Sequence, residues 1–442
     1  MCGSGGSMNC RLSCCSSLSG LSSSSRSEQV ESVTQSRLRR VVPGPASSLN
    51  ATAGLYLGPQ QFFAPCPRGL EALLADEIGG LSATAVTPVP GGVHFVADWR
   101  VCYRINLWSR LATRVLWRVA HGDYRTEDDI YALARGLPWH EWFAVDLTIR
   151  VYVTAIRSPL KSLEFLALRT KDAICDAFRA ALGRRPSVDT ANPDMRIHVF
   201  VDEHQAMLYL DTSGEPLYKR GMKRAKVEAP LKENLAAGIL LLSGWKPDET
   251  LFDPMCGSGT FLLEAAQIAL DIAPGLGRNF GFERFRRFDQ PMWKSLVTEA
   301  RSSRRDVEFK IGGADNDPVE ADRARRNLQY ASLDGKIKVV DADILAVTAP
   351  APTGVMVANP PYGVRLGEQK LLDAMYPRLG DALKQRFSGW RCYFFSGDEN
   401  LPKLIGLKAT KRTPLYNGAL ECRLYEYRIV AGKLDKSRGA AD

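Results

Sequence analysis

Asn359-Pro360-Pro361-Tyr362 ends the apolar run Val355 to Ala358, an order of little use to a fold and of more use to chemistry. A following proline holds Asn359 in extended backbone, and Pro361 does the same to Pro360. Neither proline has an N–H to occupy a nearby carbonyl. The loop is therefore expected to hold two acceptors, the Asn359 side-chain oxygen and the Pro360 carbonyl, beside the π-face of Tyr362. That set suits an exocyclic amine on a nucleobase. Such an amine is a poor nucleophile because its lone pair is delocalised into the ring. Acceptors on its hydrogens favour a pyramidal nitrogen and stabilise the positive charge that develops as it attacks a methyl group. Tyr362 would stack on the base. The bland alternative is a proline-rich turn after a strand.

A second cluster lies in "LFDPMCGSGTF", Leu251 to Phe261. Its glycines fall between an expected strand and an expected helix, where open α/β sheets bind ligands. Gly257 and Gly259 would let backbone approach a ligand closely, with a helix N-terminus behind it. A phosphate-binding P-loop would need Gly-Lys-Ser/Thr, and Thr260 follows Gly259. A dinucleotide loop would need a third glycine where Leu262 stands, and an acid about 20 residues on; Asp315 lies much further along. S-adenosylmethionine remains, a cofactor with an amino-acid end, a ribose and an adenine. Asp253 could orient its ammonium end, Asp315 in "GADND" could accept both ribose hydroxyls, and Asp343 could accept from the adenine amine. The cofactor-binding candidates are thus Asp253, Pro254, Cys256, Gly257, Ser258, Gly259, Thr260, Asp315, Asn316 and Asp343, and the catalytic candidates Asn359, Pro360, Pro361 and Tyr362. Nothing near Cys256 would make it a nucleophile.

The chain that must position these residues has 442 of them, 45% hydrophobic and 24% charged, as in ordinary globular protein. Lys and Arg exceed Asp and Glu by 58 to 49, a balance that favours polyanionic partners. Ten cysteines contain no C-x-x-C pair, so no zinc ribbon is signalled and a reducing compartment fits best. All five histidines, His94, His121, His140, His198 and His204, lie in the first half, so no histidine metal site or histidine catalyst is expected beyond them. No apolar run reaches the length of a membrane span.

Three zones are expected. Residues 1–60, rich in Ser and Arg, read as a disordered leader, either a solvated tail or an organelle transit peptide. Residues 61–227 read as mixed α and β. Leu70, Leu73, Leu74 and Ile78 share one helix face, "GGVHFVAD" is a strand, and Leu166, Ile174, Ala177, Phe178 and Ala181 mark a second helix. "MRIHVFV" and "AMLYLD" form a hairpin. Lys219, Arg220, Lys223, Arg224 and Lys226 then read as a solvated linker or a phosphate contact. Residues 228–442 alternate strand and helix, the pattern of a parallel sheet covered on both faces. Here Asp317, Pro318 and Glu320 make a capping-box start, and Asn417-Gly418 a closing hairpin turn. "APGLGRNFGFERFRRF" interleaves Arg278, Arg284, Arg286 and Arg287 with phenylalanines, which reads either as a single-stranded RNA contact or as a packed insertion.

From about Phe62 to Tyr427 the chain resembles the THUMP-domain, RlmL-like class of RNA methyltransferases, which modify the guanine N2 amine of large-subunit ribosomal RNA. "DPMCGSGT" and "NPPYG" are similar to that family's cofactor and catalytic signatures, and "RGLEALL", "GGVHF", "LWSRLATRVL", "LALRTKDAICDAF", "LYKRG" and "APGLG" to its other segments. The resemblance implies an α/β class I, Rossmann-like methyltransferase domain preceded by an α+β ferredoxin-like and THUMP RNA-binding region. It also implies S-adenosylmethionine as cofactor, ribosomal RNA as partner and no membrane or obligate protein partner. A cytoplasmic location follows, or an organelle stroma or matrix if residues 1–60 are a transit peptide. Some members carry a second methyltransferase behind this one, which is not expected here. Transfer RNA, DNA adenine, or RNA binding without catalysis stay open as alternatives.

Overall fold

In the computed structural model, residues 58–221, 223, 231–361 and 368–430 are described, all within one compact unit, Leu49–Asp442. Residues 1–57 of the leader, Tyr362, Arg224 and Lys226 lie outside the described residues, while Gln60, expected in the leader, opens the first strand. Two seven-stranded sheets organise the unit.

The first sheet comprises β1 (Gln60–Pro65), β2 (Thr84–Val89), β3 (Gly92–Ala97), β4 (Leu116–Asp123), β5 (Ile149–Ala155), β6 (Met195–Val201) and β7 (Gln205–Asp211). Its order is β2-β3-β1-β4-β7-β6-β5, antiparallel except for β5 beside β6. The ferredoxin-like and THUMP segments thus share one continuous sheet. β4 joins them: it pairs with β1 on one side, Phe62 opposite Trp117, and with β7 on the other, from Leu116 opposite Asp211 to Asp123 opposite Gln205. Side chains alternate as the pleat requires, except at register shifts between Thr84 and Thr87 and between Arg118 and Ala120. Phe62, Phe95, Trp117, Leu210 and Ile197 lie opposite one another along one face and are buried. The helices Glu71–Gly80 and Leu163–Leu182 add Leu74, Ile78, Ile174 and Phe178 to that core, while Ala181 is exposed.

The second sheet comprises β8 (Leu251–Asp253), β9 (Ile311–Asp315), β10 (Lys338–Asp341), β11 (Gly354–Ala358), β12 (Trp390–Ser396), β13 (Lys411–Asn417) and β14 (Leu420–Arg428). Its order is β10-β9-β8-β11-β12-β14-β13, and β14 runs antiparallel to both neighbours. β8 to β12 are parallel, as the alternating pattern requires. Strand order reverses between β8 and β11, which creates a crevice at their carboxyl ends. β11 is buried throughout because both sheet faces are covered: Val355 and Val357 enter the core shared with the first sheet, Met356 and Ala358 a second core.

Several sequence expectations are corrected by packing. Asn417 pairs with Leu420, so the last hairpin turns on Gly418 and Ala419, with Gly418 at φ +66°. Asp317 does cap the helix Pro318–Tyr330, but Glu320 pairs with Arg323 instead of reaching back. Arg278 donates to the carbonyls of Pro216 and Ser213, and Phe280, Phe282 and Phe285 are buried around Tyr103, Trp99 and Trp293. The Phe-rich stretch is therefore a packed insertion; its phenylalanines are not free to stack on RNA.

Arg220, expected in a basic linker, is buried at the seam between the sheets. It faces Glu264 at 3.2 Å, with only 2% and 0% of the two side chains exposed, and donates to the carbonyls of Leu217 and Arg110. Removing one partner strands the other charge without water. Glu264→Ala is expected to cost about 3–5 kcal/mol of stability, read as a lowered urea midpoint. Among the described residues, no helix is long and apolar enough to cross a membrane.

Candidate active site

The glycine loop leaves β8 at Asp253 and enters the helix Thr260–Ala269. Three hydrogen bonds from the neighbouring strand and helix fix its path. Cys256 N donates to Ala314 O at 2.9 Å, Gly257 N donates to Asp315 Oδ2 at 2.8 Å, and Asn327 Nδ2 donates to Ser258 O at 3.0 Å. Gly257 and Gly259 have φ of +49° and +80°, the left-handed region that favours glycine. A Cβ on Gly257 would meet nothing within 4 Å, so space lies in front of the loop. Behind it space is closed: a Cβ on Gly313 would come within 2.8 Å of Leu262.

Asp253 is 1% exposed and accepts from Met255 N at 3.1 Å. Burial pushes its carboxyl well above the usual carboxylate range, and Asp315 adds to the effect. An ammonium group beside it would reverse that cost. Asp315 ends β9 and accepts from Gly257 N and Asp317 N, one on each oxygen, which leaves a lone pair on each for a hydroxyl. Pro254, Cys256, Ser258, Gly259 and Thr260 are buried in the loop, whereas Asn316 is exposed. Asp343 stands two residues beyond the end of β10, exposed, with Oδ1 accepting from Leu345 N at 2.8 Å. The three acids therefore follow three adjacent strands, the third from a loop. Burial, aided by Asp253 and Asp315, pushes the Cys256 thiol up, which removes it as a nucleophile.

Asn359 follows β11 directly and is half-buried; Pro360 is buried and Pro361 exposed. Met356 pairs with Phe252, the residue before Asp253. Asn359 and the glycine loop thus leave adjacent strands at the same end, on either side of the switch point.

Sequence reasoning missed three supports of this site. Lys223 Nζ donates to Thr260 Oγ1 at 2.7 Å and sits 3.1 Å from Glu233. Asp398, just past β12, accepts from Tyr376 Oη at 2.6 Å and Gln369 Nε2 at 2.9 Å, pinning the helix Glu368–Arg386 to the end of the strand next to β11. Asn327 carried a signal: it is a lone amide among Ala321, Ala324 and Leu328 on the buried helix face. Asn327→Leu would strand the Ser258 carbonyl, at a cost of about 1–3 kcal/mol. Weaker binding of S-adenosylhomocysteine in calorimetry, with a lowered melting temperature, is the expected result.

The comparisons with known proteins agree with this architecture. The RlmL ferredoxin-like domain profile matches residues 61–116, the THUMP domain profile 124–211 and the RMKL-like methyltransferase domain profile 220–426. A Synechocystis protein provisionally named an RNA methyltransferase is 40% identical over 370 residues, covering 83% of this chain and 96% of its own. The chain belongs to the THUMP-domain, RlmL-like family of RNA methyltransferases. The family's ribosomal RNA large subunit methyltransferase K/L of Syntrophotalea carbinolica is 43% identical over 84% of this chain, which spans 54% of that longer protein. A solved structure provisionally titled a methyltransferase, in complex with S-adenosylhomocysteine, superposes with TM-score 0.77 at 30% identity, over 85% of this chain and 99% of its own. The cofactor that goes with this fold and family is S-adenosylmethionine, and the open space before Gly257, with buried Asp253 beside it, fits an amino-acid end there.

Proposed function

We propose that this protein methylates the exocyclic N2 amine of a guanine in large-subunit ribosomal RNA. The observation that carries the reading is the placement of Asn359-Pro360 directly after β11, across the switch point from the Asp253 loop. In this reading residues 228–442 are the catalytic domain and residues 61–227 dock the RNA.

The bound cofactor supplies a methyl group activated by a sulfonium. Asp253 would take the cofactor's ammonium, the two oxygens of Asp315 the ribose hydroxyls, and Asp343 the adenine amine. The remaining candidates, Pro254, Cys256, Gly257, Ser258, Gly259, Thr260 and Asn316, would shape the walls. Asn359 Oδ1 and the Pro360 carbonyl accept from the two amine hydrogens, while Tyr362 stacks on the base. As the new N–C bond forms, the methyl–sulfur bond would break with its electron pair going to sulfur as a neutral thioether, and charge would grow on the nitrogen against acceptors that need no reorganisation. An N-methylated aryl ammonium is a strong acid, so its proton leaves without an ionised base. Alignment of amine and methyl supplies much of the remaining rate. Ribosomal RNA is preferred over transfer RNA and DNA because the K/L relatives are named for it.

The test is methyl transfer from labelled cofactor to unmodified large-subunit ribosomal RNA, transfer RNA and duplex DNA in parallel. Label in ribosomal RNA alone supports the reading. Label confined to transfer RNA or DNA overturns the substrate, and no label in any polymer overturns the enzyme.

A further inference from the structure

Where the ferredoxin-like segment meets the catalytic domain, a pocket of about 180 Å³ is built from parts far apart in the chain. Arg68, in the loop after β1, and Thr113, in the loop before β4, stand on one side. Lys232 and Asn234, at the start of the helix Glu233–Leu242, and Tyr416 at the end of β13 stand on the other. The space is below the ~300–1,000 Å³ usual for organic ligands and suits a small ion with a few waters.

The lining is cationic. Among the described residues no carboxylate belongs to it, and the acid at the helix start, Glu233, turns instead to Lys223 at 3.1 Å. The Arg68 guanidinium lies 4.6 Å from the ring centre of Tyr416, and Lys232 Nζ 5.2 Å from that of Tyr218. Such contacts use the ring faces and leave N–H donors for an anion. The helix begins without a side-chain cap, so its positive end borders the pocket too.

Against these donors stands one acceptor. Asn234 is 0% exposed, and its Oδ1 has no hydrogen-bond partner. The orientation of the amide is fixed. Its Nδ2 donates to Leu111 O and to Thr113 Oγ1, each at 3.2 Å, and the Leu111 carbonyl can only accept. A ligand that were only an acceptor would be repelled by that oxygen, and a cation would be repelled by Arg68 and Lys232. An anion that still carries a proton satisfies both.

We infer that this pocket binds inorganic phosphate, the ion's P–O–H donating to Asn234 Oδ1 while its charged oxygens accept from Arg68, Lys232 and the Thr113 hydroxyl. The proton decides the choice of ion. Sulfate has the shape and charge of hydrogen phosphate but no proton to give. A phosphodiester in an RNA backbone has none either, so the site is distinct from substrate docking. Phosphate held there ties the ferredoxin-like segment to the first helix and the last hairpin of the catalytic domain, whichever base that domain methylates.

The test is calorimetric titration of the full chain at pH 8 and fixed ionic strength, with sodium phosphate, sodium sulfate and methyl phosphate as probes. At that pH all three are essentially dianions, and inorganic phosphate alone keeps a proton. Phosphate is expected to bind at least about tenfold more tightly than the other two, the worth of one hydrogen bond to a charged group. Arg68→Gln/Lys232→Gln is expected to lose about tenfold in phosphate affinity and to keep its affinity for S-adenosylhomocysteine. Phosphate should also raise the melting temperature of the parent more than that of the variant. Equal affinity for sulfate or methyl phosphate overturns the inference, because Asn234 then accepts no proton. Undiminished phosphate binding by the folded variant overturns it by placing the ion elsewhere, and so does the absence of binding by all three probes. Should the double variant fail to fold, Arg68→Gln alone reads the same quantity.

Discussion

Asn359→Ala is expected to bind S-adenosylhomocysteine as the parent does and to transfer methyl groups about 100- to 1,000-fold more slowly. The magnitude is that of losing one preorganised polar group aimed at developing charge. Asn359 leaves β11, while the groups assigned to the cofactor leave β8, β9 and the loop after β10, so the two functions separate in space. The effect should appear in kcat under saturating RNA and cofactor, because the amine's acceptor matters most where the nitrogen is becoming cationic. Asn359→Asp offers a sharper comparison. It keeps an acceptor and adds a charge, so it should retain more activity than alanine. Alanine turning over at the parental rate would take Asn359 out of the mechanism.

Asp253→Asn should weaken cofactor binding and stabilise the empty protein. The ammonium loses its carboxylate partner, which costs about 2–5 kcal/mol of affinity. The fold meanwhile loses a buried charge that its own structure disfavours. Asparagine keeps an oxygen for Met255 N, so the local turn survives. The pH dependence follows from the raised carboxyl. In the folded protein Asp253 holds its proton to higher pH than in the unfolded chain, so the destabilisation begins as pH rises past the unfolded value and is complete above the folded one. The variant's gain in melting temperature should therefore be present at pH 8 and fade in acid. Cofactor binding to the parent should release a proton near the folded pKa and weaken as pH falls below it. Calorimetry in two buffers of different ionisation enthalpy reads that proton directly. Proton-neutral binding would contradict ionisation of Asp253 by the cofactor.

The parts of the fold that were legible in the sequence are those set by local pattern. The run Val355–Ala358 is buried on both sides, and Asp317 caps its helix. What was illegible depends on partners far along the chain. Arg220 reads as one more cation in a basic run, and only Glu264 in another element makes it a buried ion. The phenylalanines of the insertion alternate with arginines as an RNA platform would, yet Tyr103 and Trp293 enclose them. Joining of two segments into one sheet rests on β4 pairing with both β1 and β7, which periodicity does not encode. The pocket beside Asn234 was missed for the same reason. Arg68, Thr113, Asn234 and Tyr416 stand far apart in sequence and meet only in the fold. Of the candidate site residues, Asp253, Asp315 and Asn359 stand out in the sequence because each ends or directly follows an apolar run, whereas Asp343 lies two residues beyond its strand. Asp398, which holds Gln369 and Tyr376, was not legible, and Asn327 left only the signal of a lone amide on a buried helix face.

The central claim is that the Asn359-Pro360 loop presents an exocyclic guanine amine to the methyl donor. Its most direct test is nucleoside mass analysis of ribosomal RNA methylated by the pure protein, with stable-isotope label in the methyl group. N2-methylguanosine carrying the label is the result this account predicts. Label on a ring nitrogen, a carbon or a ribose oxygen would contradict it, because such a target has no amine hydrogens for Asn359 and Pro360 to accept.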